Sequence, residues 1–399
     1  GFSRYSVDRQ WLVPHFEKML YDNALLLRVY AHAAQVTGEA RFAAVAEGIV
    51  DYVMTDLSHP DGGRYSAEDA DSLPPGAPPD AHPEEGAFYL WRRNEVASTL
   101  ERAGLGERLD AVCEWYGITE GGNFEGASIP NRLHARAQLD RPPEIEEARR
   151  ALLAARSGRP RPGLDDKVLT EWNALFVAAL AEAGAALDRP DWVAQAERTA
   201  EFLLSALRDD HGRWLRSWQG GAGTGAATAI GTGTGTGTGR AQHLAYAADH
   251  GALLDAFLCL YEATGLRRWL DEAAAVAVAF EALFIDPDGT VHATGTDAPA
   301  LLVRPREVMD NATPSGASLA ATGLLRLGAL TSDDHRSELG RTVLASMGDV
   351  AARHPLGFAN MLWAWEMATT GISELVISGD RADLEALASR ADHVTIEVI

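Results

Sequence analysis

The sequence predicts an all-α protein: an (α/α)6 toroid of helical hairpins carrying a small β insertion and a C-terminal βαβ-like appendage. Three observations predict it. A spacing of 24 residues recurs between turns, from Gly38 to Gly62, Asp188 to Gly212, Gly265 to Gly289 and Asp333 to Gly357; a helix of about 18 residues plus its turns accounts for that distance. One helix of each unit is apolar on every face, as in Ala174-Leu175-Phe176-Val177-Ala178-Ala179-Leu180-Ala181, so it must be surrounded. The helix after it is striped, with Trp192, Ala196, Thr199, Phe202, Leu203 and Ala206 on one side and Glu197, Arg198 and Glu201 elsewhere, which marks an outer position. Repeated pairs of an enclosed inner helix and a striped outer one hide their inner faces only against neighbouring pairs, as a ring requires.

Taken in order, the first recognisable inner helix follows Asn23 with Ala24-Leu25-Leu26-Leu27, and a preceding toroid helix is expected to be missing. At about 60–92, the segments Arg64-Tyr65-Ser66-Ala67 and Ala87-Phe88-Tyr89-Leu90-Trp91 flank a Pro-rich acidic loop and are expected to form the β insertion. The tract 220–239 repeats Gly-Thr and is expected to be a loop, because so little apolar surface cannot offset ordering entropy. The ring is expected to span 1–371. Residues 372–399 read as strand, helix, strand, from Glu374-Leu375-Val376-Ile377 through a short helix near 382–390 to Val394-Thr395-Ile396-Glu397-Val398.

Composition narrows the function. The 399 residues are 46% hydrophobic and 23% charged, enough to bury a large core and too apolar for a disordered chain. Lys plus Arg number 35 against 57 Asp plus Glu, a net charge of −22, which argues against nucleic acid or an anionic membrane as partner. Cys113 and Cys259 stand alone in apolar helical patterns without metal-ligand spacing, so buried thiols in a reducing compartment are expected, with no metal and no cofactor. No apolar run is long enough for a membrane span. A cytoplasmic protein is expected.

In such a ring the inner helices run the same way, and the polar residues in them cluster at their N-terminal ends. Asp22 and Asn23 precede one helix, Asp165, Asp166, Lys167, Glu171 and Asn173 the next, then Asp249 and His250, then Asp310, Asn311, Ser315 and Ser318. Asn23, Asn173 and His250 each lie 15 residues before Gly38, Asp188 and Gly265, and so occupy equivalent places. A pocket at this mouth is expected. Acid–base chemistry on a sugar needs an acid and a base facing each other across it, and the candidates are His15, Glu17, Asp22, Asp69, Asp166, Asp249 and His250. Arg4, Asp8, Trp11, Asn23, Glu68, Asp71, Glu85, Tyr89, Trp172, Asn173, Asp310 and Ser315 are the candidates for holding the substrate. For each a structural role stands beside the functional one: Asp310 and Ser315 as helix caps, Asn23 and Asn173 as packing polars, the Glu68–Asp71 run as a solvated loop, and either histidine as a hydrogen-bonding group.

Several long motifs add a resemblance. Gly1-Phe2-Ser3-Arg4-Tyr5-Ser6-Val7-Asp8, Trp11 through Ala24, Tyr65 through Ser72, Glu85 through Trp91, Gly122-Asn123-Phe124-Glu125-Gly126, Asp165 through Asn173 and Asp310 through Gly316 resemble the thioredoxin-domain-containing family related to spermatogenesis-associated protein. The resemblance implies a six-hairpin toroid similar to N-acylglucosamine 2-epimerases and six-hairpin glycosidases, and a thioredoxin-like domain as a partner in the full-length protein. No Cys-x-x-Cys occurs here, so redox activity is not implied for these residues. The two functions that follow are a carbohydrate-active enzyme acting at the mouth of the ring and a non-catalytic sugar-binding or interaction module working with the thioredoxin-like domain.

Overall fold

The computed structural model describes residues 1–136, 138, 140–220, 239–377 and 394–398. In chain order its elements begin β1 (Lys18–Met19), α1 (Leu20–Thr37), α2 (Ala40–Asp56), β2 (Ala67–Glu68), β3 (Asp71–Ser72), β4 (Glu84–Glu85), α3 (Arg93–Arg102), α4 (Leu109–Tyr116) and α5 (Pro143–Arg156). They continue with β5 (Leu164–Asp165), β6 (Val168–Leu169), α6 (Thr170–Ala186), α7 (Pro190–Ala206), β7 (Leu215–Gly220), β8 (Gly239–Leu244), α8 (Ala247–Thr264) and α9 (Arg267–Phe284). The last are α10 (Gly316–Thr331), α11 (Asp334–Arg353), α12 (Ala359–Thr370), β9 (Ser373–Ile377) and β10 (Val394–Val398). Contacts divide the chain into two compact units, one of Gly1, Leu20–Ser66 and Asp166–Ile399, the other of Phe2–Met19 and Ala67–Asp165.

The first unit is an α/α toroid. The inner helices α1, α6, α8, α10 and α12 pack in succession, and α2, α7, α9 and α11 pack on the outside of the first four. Burial follows the two sequence patterns: every residue of α8 from Ala247 to Tyr261 is buried, whereas α7 buries only Trp192, Ala196, Thr199, Ala200, Phe202 and Leu203. Among the described residues there are four complete hairpins and a fifth inner helix. The guanidinium of Arg28 on α1 lies 5.7 Å from the Trp363 ring on α12, so the first and last inner helices meet.

The 24-residue spacing has a local cause. The first three inner helices end on a residue in the left-handed region at each register position, Gly38 (φ 69°), Asp188 (φ 53°) and Gly265 (φ 61°). The outer helix that follows ends in a tight antiparallel bridge, Ser58 with Arg64, Arg208 with Trp214 and Ile285 with Val291. A glycine at its turn donates to the residue three before it, as Gly289 does to Asp286 at 2.9 Å. Gly289 has φ 83°, and a β-carbon there would stand 2.4 Å from the Thr342 carbonyl oxygen, so side chains are excluded twice over. The fourth copy departs: Ser332 (φ 51°) takes the left-handed position, Asp333 caps α11 by accepting from the Arg336 amide at 3.2 Å, and Gly357 lies in a short 3-10 turn.

In the second unit β1, β2 and β5 form an antiparallel sheet in that order and β3 pairs with β4. Helices α3, α4 and α5 enclose a core of Trp91, Val96, Leu100, Val112, Cys113, Ile145 and Leu152. The strands differ from the sequence expectation. Pairing falls on Ala67–Glu68, Asp71–Ser72 and Glu84–Glu85, while Ala87–Tyr89 is a turn closed by Tyr89 and Leu90 amides donating to the Gly86 carbonyl. The aromatic run mimicked a strand because its side chains are buried, Phe88 at 3% and Trp91 at 5% exposure, and burial without period-two alternation does not distinguish strand from turn. At the C-terminus β9 and β10 pair in parallel, Ser373 opposite Val394. The helix expected near 382–390 and the Gly-Thr tract at 221–238 lie outside the described residues.

Candidate functional site

At the start of α6 and α8 the toroid holds a buried group of charges. The short strand β6 leads into α6 and pairs with β7, Leu169 opposite Ser217, which brings Arg216 of β7 beside Glu171 in the first turn of α6. Asp249, in the first turn of α8, serves both helices. Its Oδ1 accepts from the Glu171 amide at 3.0 Å and its Oδ2 from the Tyr246 amide at 2.7 Å, satisfying two of the amides that a helix start leaves free. Arg216 Nη1 donates to Asp249 Oδ2 at 2.9 Å and stands 3.5 Å from Glu171 Oε2. Its guanidinium carbon lies 4.7 Å from the centre of the Tyr246 ring, a residue that is 40% exposed.

Electrostatics separates the two carboxyls. Glu171 is 5% exposed and Asp249 fully buried. Burial, and then the negative charge of Asp249, push Glu171 up to about 7, against a hydrogen bond from Thr313 and the charge of Arg216. Burial also pushes Asp249 up, with Arg216 and the Tyr246 and Glu171 amides pulling the other way. A carboxyl that is half protonated near neutral pH can both give and take a proton.

The other candidates in this unit are held as follows. His250 is fully buried; Nδ1 donates to the Tyr246 carbonyl at 2.9 Å and Nε2 accepts from Arg213 at 3.2 Å, since a carbonyl only accepts and a guanidinium only donates. Burial lowers it to about 4, so it is neutral at pH 7. Asn173 accepts from the Arg64 amide at 2.7 Å and donates to the Arg64 and Leu169 carbonyls at 2.9 Å, stitching the turn after α2 to α6. Asp310 accepts from the Ser315 and Asn360 amides at 2.9 and 3.0 Å, and Ser315 caps α10 through the Ser318 amide; both take the capping role. Asp166 is half-buried and accepts from Gln219 at 2.6 Å. Trp172, half-buried, meets Tyr21 edge-on at 4.8 Å. Asn23 is fully buried and Asp22 partly so in the first turn of α1.

In the second unit His15, Glu17, Glu85 and Arg4 come together. His15 Nδ1 lies 2.9 Å from Glu85 and Nε2 3.5 Å from Glu17, Arg4 pairs with Glu17 at 3.1 Å, and the Tyr5 ring stacks on His15 at 5.0 Å. Asp71 pairs across the β3–β4 ladder with Glu85, and Asp69 donates its amide to Gly163 at 2.7 Å. Glu68 is buried against Arg161. Tyr89 stacks on Phe16 at 5.6 Å under the Lys18 ammonium. Asp8 is committed to its own loop, accepting from the Gln10, Leu12 and Val13 amides, and Trp11 is 73% exposed with φ 65°.

Glu171 was legible as a rim polar residue but not as an acid–base candidate, and Arg216 not at all. The signal for Glu171 is its place in the first turn of a helix apolar on every face, which favours burial. The same signal marks a second cluster deeper in the ring. There Arg28 binds Glu182 and reaches Asp255 at 2.7 Å, while Arg326 reaches Asp255 at 2.6 Å and Glu262 at 2.7 Å. Cys259 Sγ lies 3.6 Å from both Arg28 and Arg326.

No family model matches the chain. Spermatogenesis-associated protein 20 of Mus musculus is 36% identical over 412 residues, 95% of this chain and 50% of that protein. Its Homo sapiens counterpart is 33% identical over 427 residues, 99% of this chain and 52% of that protein. The chain is a homologue of spermatogenesis-associated protein 20. It spans about half the length of these curated relatives. Among solved structures, a sugar epimerase from a ruminal bacterium matches with a TM-score of 0.52 at 12% identity, over 88% of this chain and 65% of that one. Cellobiose 2-epimerase from Spirochaeta thermophila matches with a TM-score of 0.51 at 13% identity, over 88% and 64%. These likenesses show that the chain has the toroid fold of the epimerases; the name of its relatives states no reaction. Among the described residues no helix is long and apolar enough to cross a membrane.

Proposed function

We propose that the chain is a carbohydrate-active toroid in which Glu171 exchanges a proton with a sugar bound at the N-terminal ends of the inner helices. The observation that carries this reading is the meeting of two buried carboxyls, Glu171 and Asp249, on one guanidinium nitrogen of Arg216 at 3.5 and 2.9 Å; burial and the Asp249 charge push Glu171 up to about 7. A carboxyl in that range protonates a sugar carbonyl or glycosidic oxygen and takes the proton back without leaving the neutral range. The exposed face of Tyr246 and the half-buried Trp172 offer flat apolar surfaces of the kind sugar rings stack on, and Asp166 with Gln219 offers hydrogen bonds to hydroxyls. The two epimerases with the same toroid support a sugar as the substrate class.

A second reading, a sugar-binding or interaction module without chemistry, is favoured by the number of polar groups at this end already spent on the fold: Asn173, Asp310, Ser315 and His250. One experiment separates them. The chain is incubated in D2O with a panel of aldoses, cellobiose and N-acetylhexosamines, following thermal midpoint, epimer formation, hydrolysis and deuterium incorporation by NMR. Turnover lost by at least about a hundredfold in Glu171→Gln, with folding intact, supports the enzyme. A raised midpoint without turnover supports the binding module, and neither response from any sugar refutes the carbohydrate reading.

A further inference from the structure

We propose that Arg216 is the positioning residue that keeps Glu171 and Asp249 as a one-proton pair, a role that rests on Glu171 being the acid–base group. Two carboxyls meet a single guanidinium nitrogen, Arg216 Nη1, at unequal distances of 2.9 Å to Asp249 and 3.5 Å to Glu171. Asp249 has the shorter contact and two backbone amides besides, a donor set suited to the charged form. Glu171 has the longer contact and the Thr313 hydroxyl. Among the described residues the charged groups that act most on Glu171 are Asp249 from α8, Arg216 from β7 and Glu307 from the segment before α10; Arg216 is the cation among these three. One cation compensates one anion in a buried setting, so the second carboxyl keeps its proton.

Arg216 comes from a strand and not from an inner helix. It is placed by the pairing of Leu169 with Ser217 and by its approach to the Tyr246 ring, and it is 26% exposed, whereas Asp249 is fully enclosed. The pair is therefore set by a residue that a ligand can touch. A ligand group that draws the guanidinium away alters the proton affinity of the pair without contacting either carboxyl.

The test is a difference-infrared titration of the protonated carboxyl band between pH 5 and 9 in the whole chain, with Glu171→Gln assigning the band and near-UV circular dichroism verifying folding. The wild type is expected to lose the band near pH 7. In Arg216→Met the proton is retained to higher pH, by about one unit or more, because the cation that favours the charged form is gone. In Arg216→Lys, which keeps the charge on the same strand, the midpoint returns to within a few tenths of the wild type. A wild-type band near pH 7 that Arg216→Met leaves unmoved in a folded protein overturns the role of Arg216 and spares Glu171. A Lys variant displaced as far as the Met variant also overturns it. If the wild type has no carboxyl titrating near neutrality, the acid–base reading of Glu171 falls, and this one with it.

Discussion

Replacing Glu171 by Gln should stabilise the protein at pH 8 and do little at pH 4.5. The wild-type carboxyl is raised from 4.5 to about 7 in the folded chain. A group raised on folding contributes stability that is present below its unfolded value and lost as pH rises through its folded value. At about 1.4 kcal/mol per pH unit, the window from 4.5 to 7 amounts to about 3 kcal/mol. The wild-type curve alone conceals this. His250 is lowered from 6.5 to about 4, and its contribution runs the other way, present above 6.5 and lost as pH falls toward 4. The two slopes overlap and oppose each other. The quantity to measure is therefore the difference between Glu171→Gln and wild type, from urea midpoints at half-unit steps between pH 4 and 8.5. It is expected to shift by about 3 kcal/mol in favour of the variant as pH rises. His250→Gln should expose the complementary slope, with wild-type stability gained relative to the variant between pH 4 and 6.5. A Glu171→Gln difference that stays flat across the range refutes the argument, because it means the carboxyl has the same proton affinity in the folded and the unfolded chain.

Two further predictions concern the scaffold. Arg326→Met removes the cation that Asp255 and Glu262 share, leaving Asp255 with Arg28 alone and Glu262 without that partner, so it should cost about 3–5 kcal/mol by chemical denaturation; a loss below about 1 kcal/mol would show that the network relaxes or admits water. Gly289→Ala should destabilise by more than about 1 kcal/mol, through its φ of 83° and the Thr342 carbonyl. Gly48→Ala, in the exposed middle of α2 with nothing within 4 Å of the new methyl, should stabilise by about 0.5–1 kcal/mol, and the reverse order of these two glycine variants in a thermal melt would contradict the backbone argument.

How far the site was legible depended on where each residue sits. Asp249 was read as a candidate because it opens an apolar helix, and the structure makes it the group that ties α6 to α8. His250, its neighbour, is equally buried and has the same sequence signal but a different fate: one residue further round the helix both ring nitrogens are taken, Nδ1 by the Tyr246 carbonyl and Nε2 by Arg213, away from Arg216 and Glu171. The two positions differ by a rotation of about 100°, which only the neighbouring helices can turn into a difference in environment. Arg216 lies in Leu215-Arg216-Ser217-Trp218, a segment whose pairing partners, Val168 opposite Trp218 and Leu169 opposite Ser217, lie far upstream in the chain, and nothing local announces that contact.

By itself the sequence determined the repeat, the division into enclosed and striped helices and the turns between them, because these are local: a helix apolar all round must be covered, and a left-handed turn falls where Gly38, Asp188 and Gly265 recur. It also placed Glu171 and Asp249 at the N-terminal ends of such helices. The tertiary structure alone decided which charges face one another, with Asp249 and Glu171 meeting Arg216, and Asp255 meeting Arg28 and Arg326. Protonation follows from those partners, because in a buried setting the balance between desolvation and one neighbouring guanidinium sets the proton affinity of a carboxyl, and that balance is a property of distances between segments far apart in the chain.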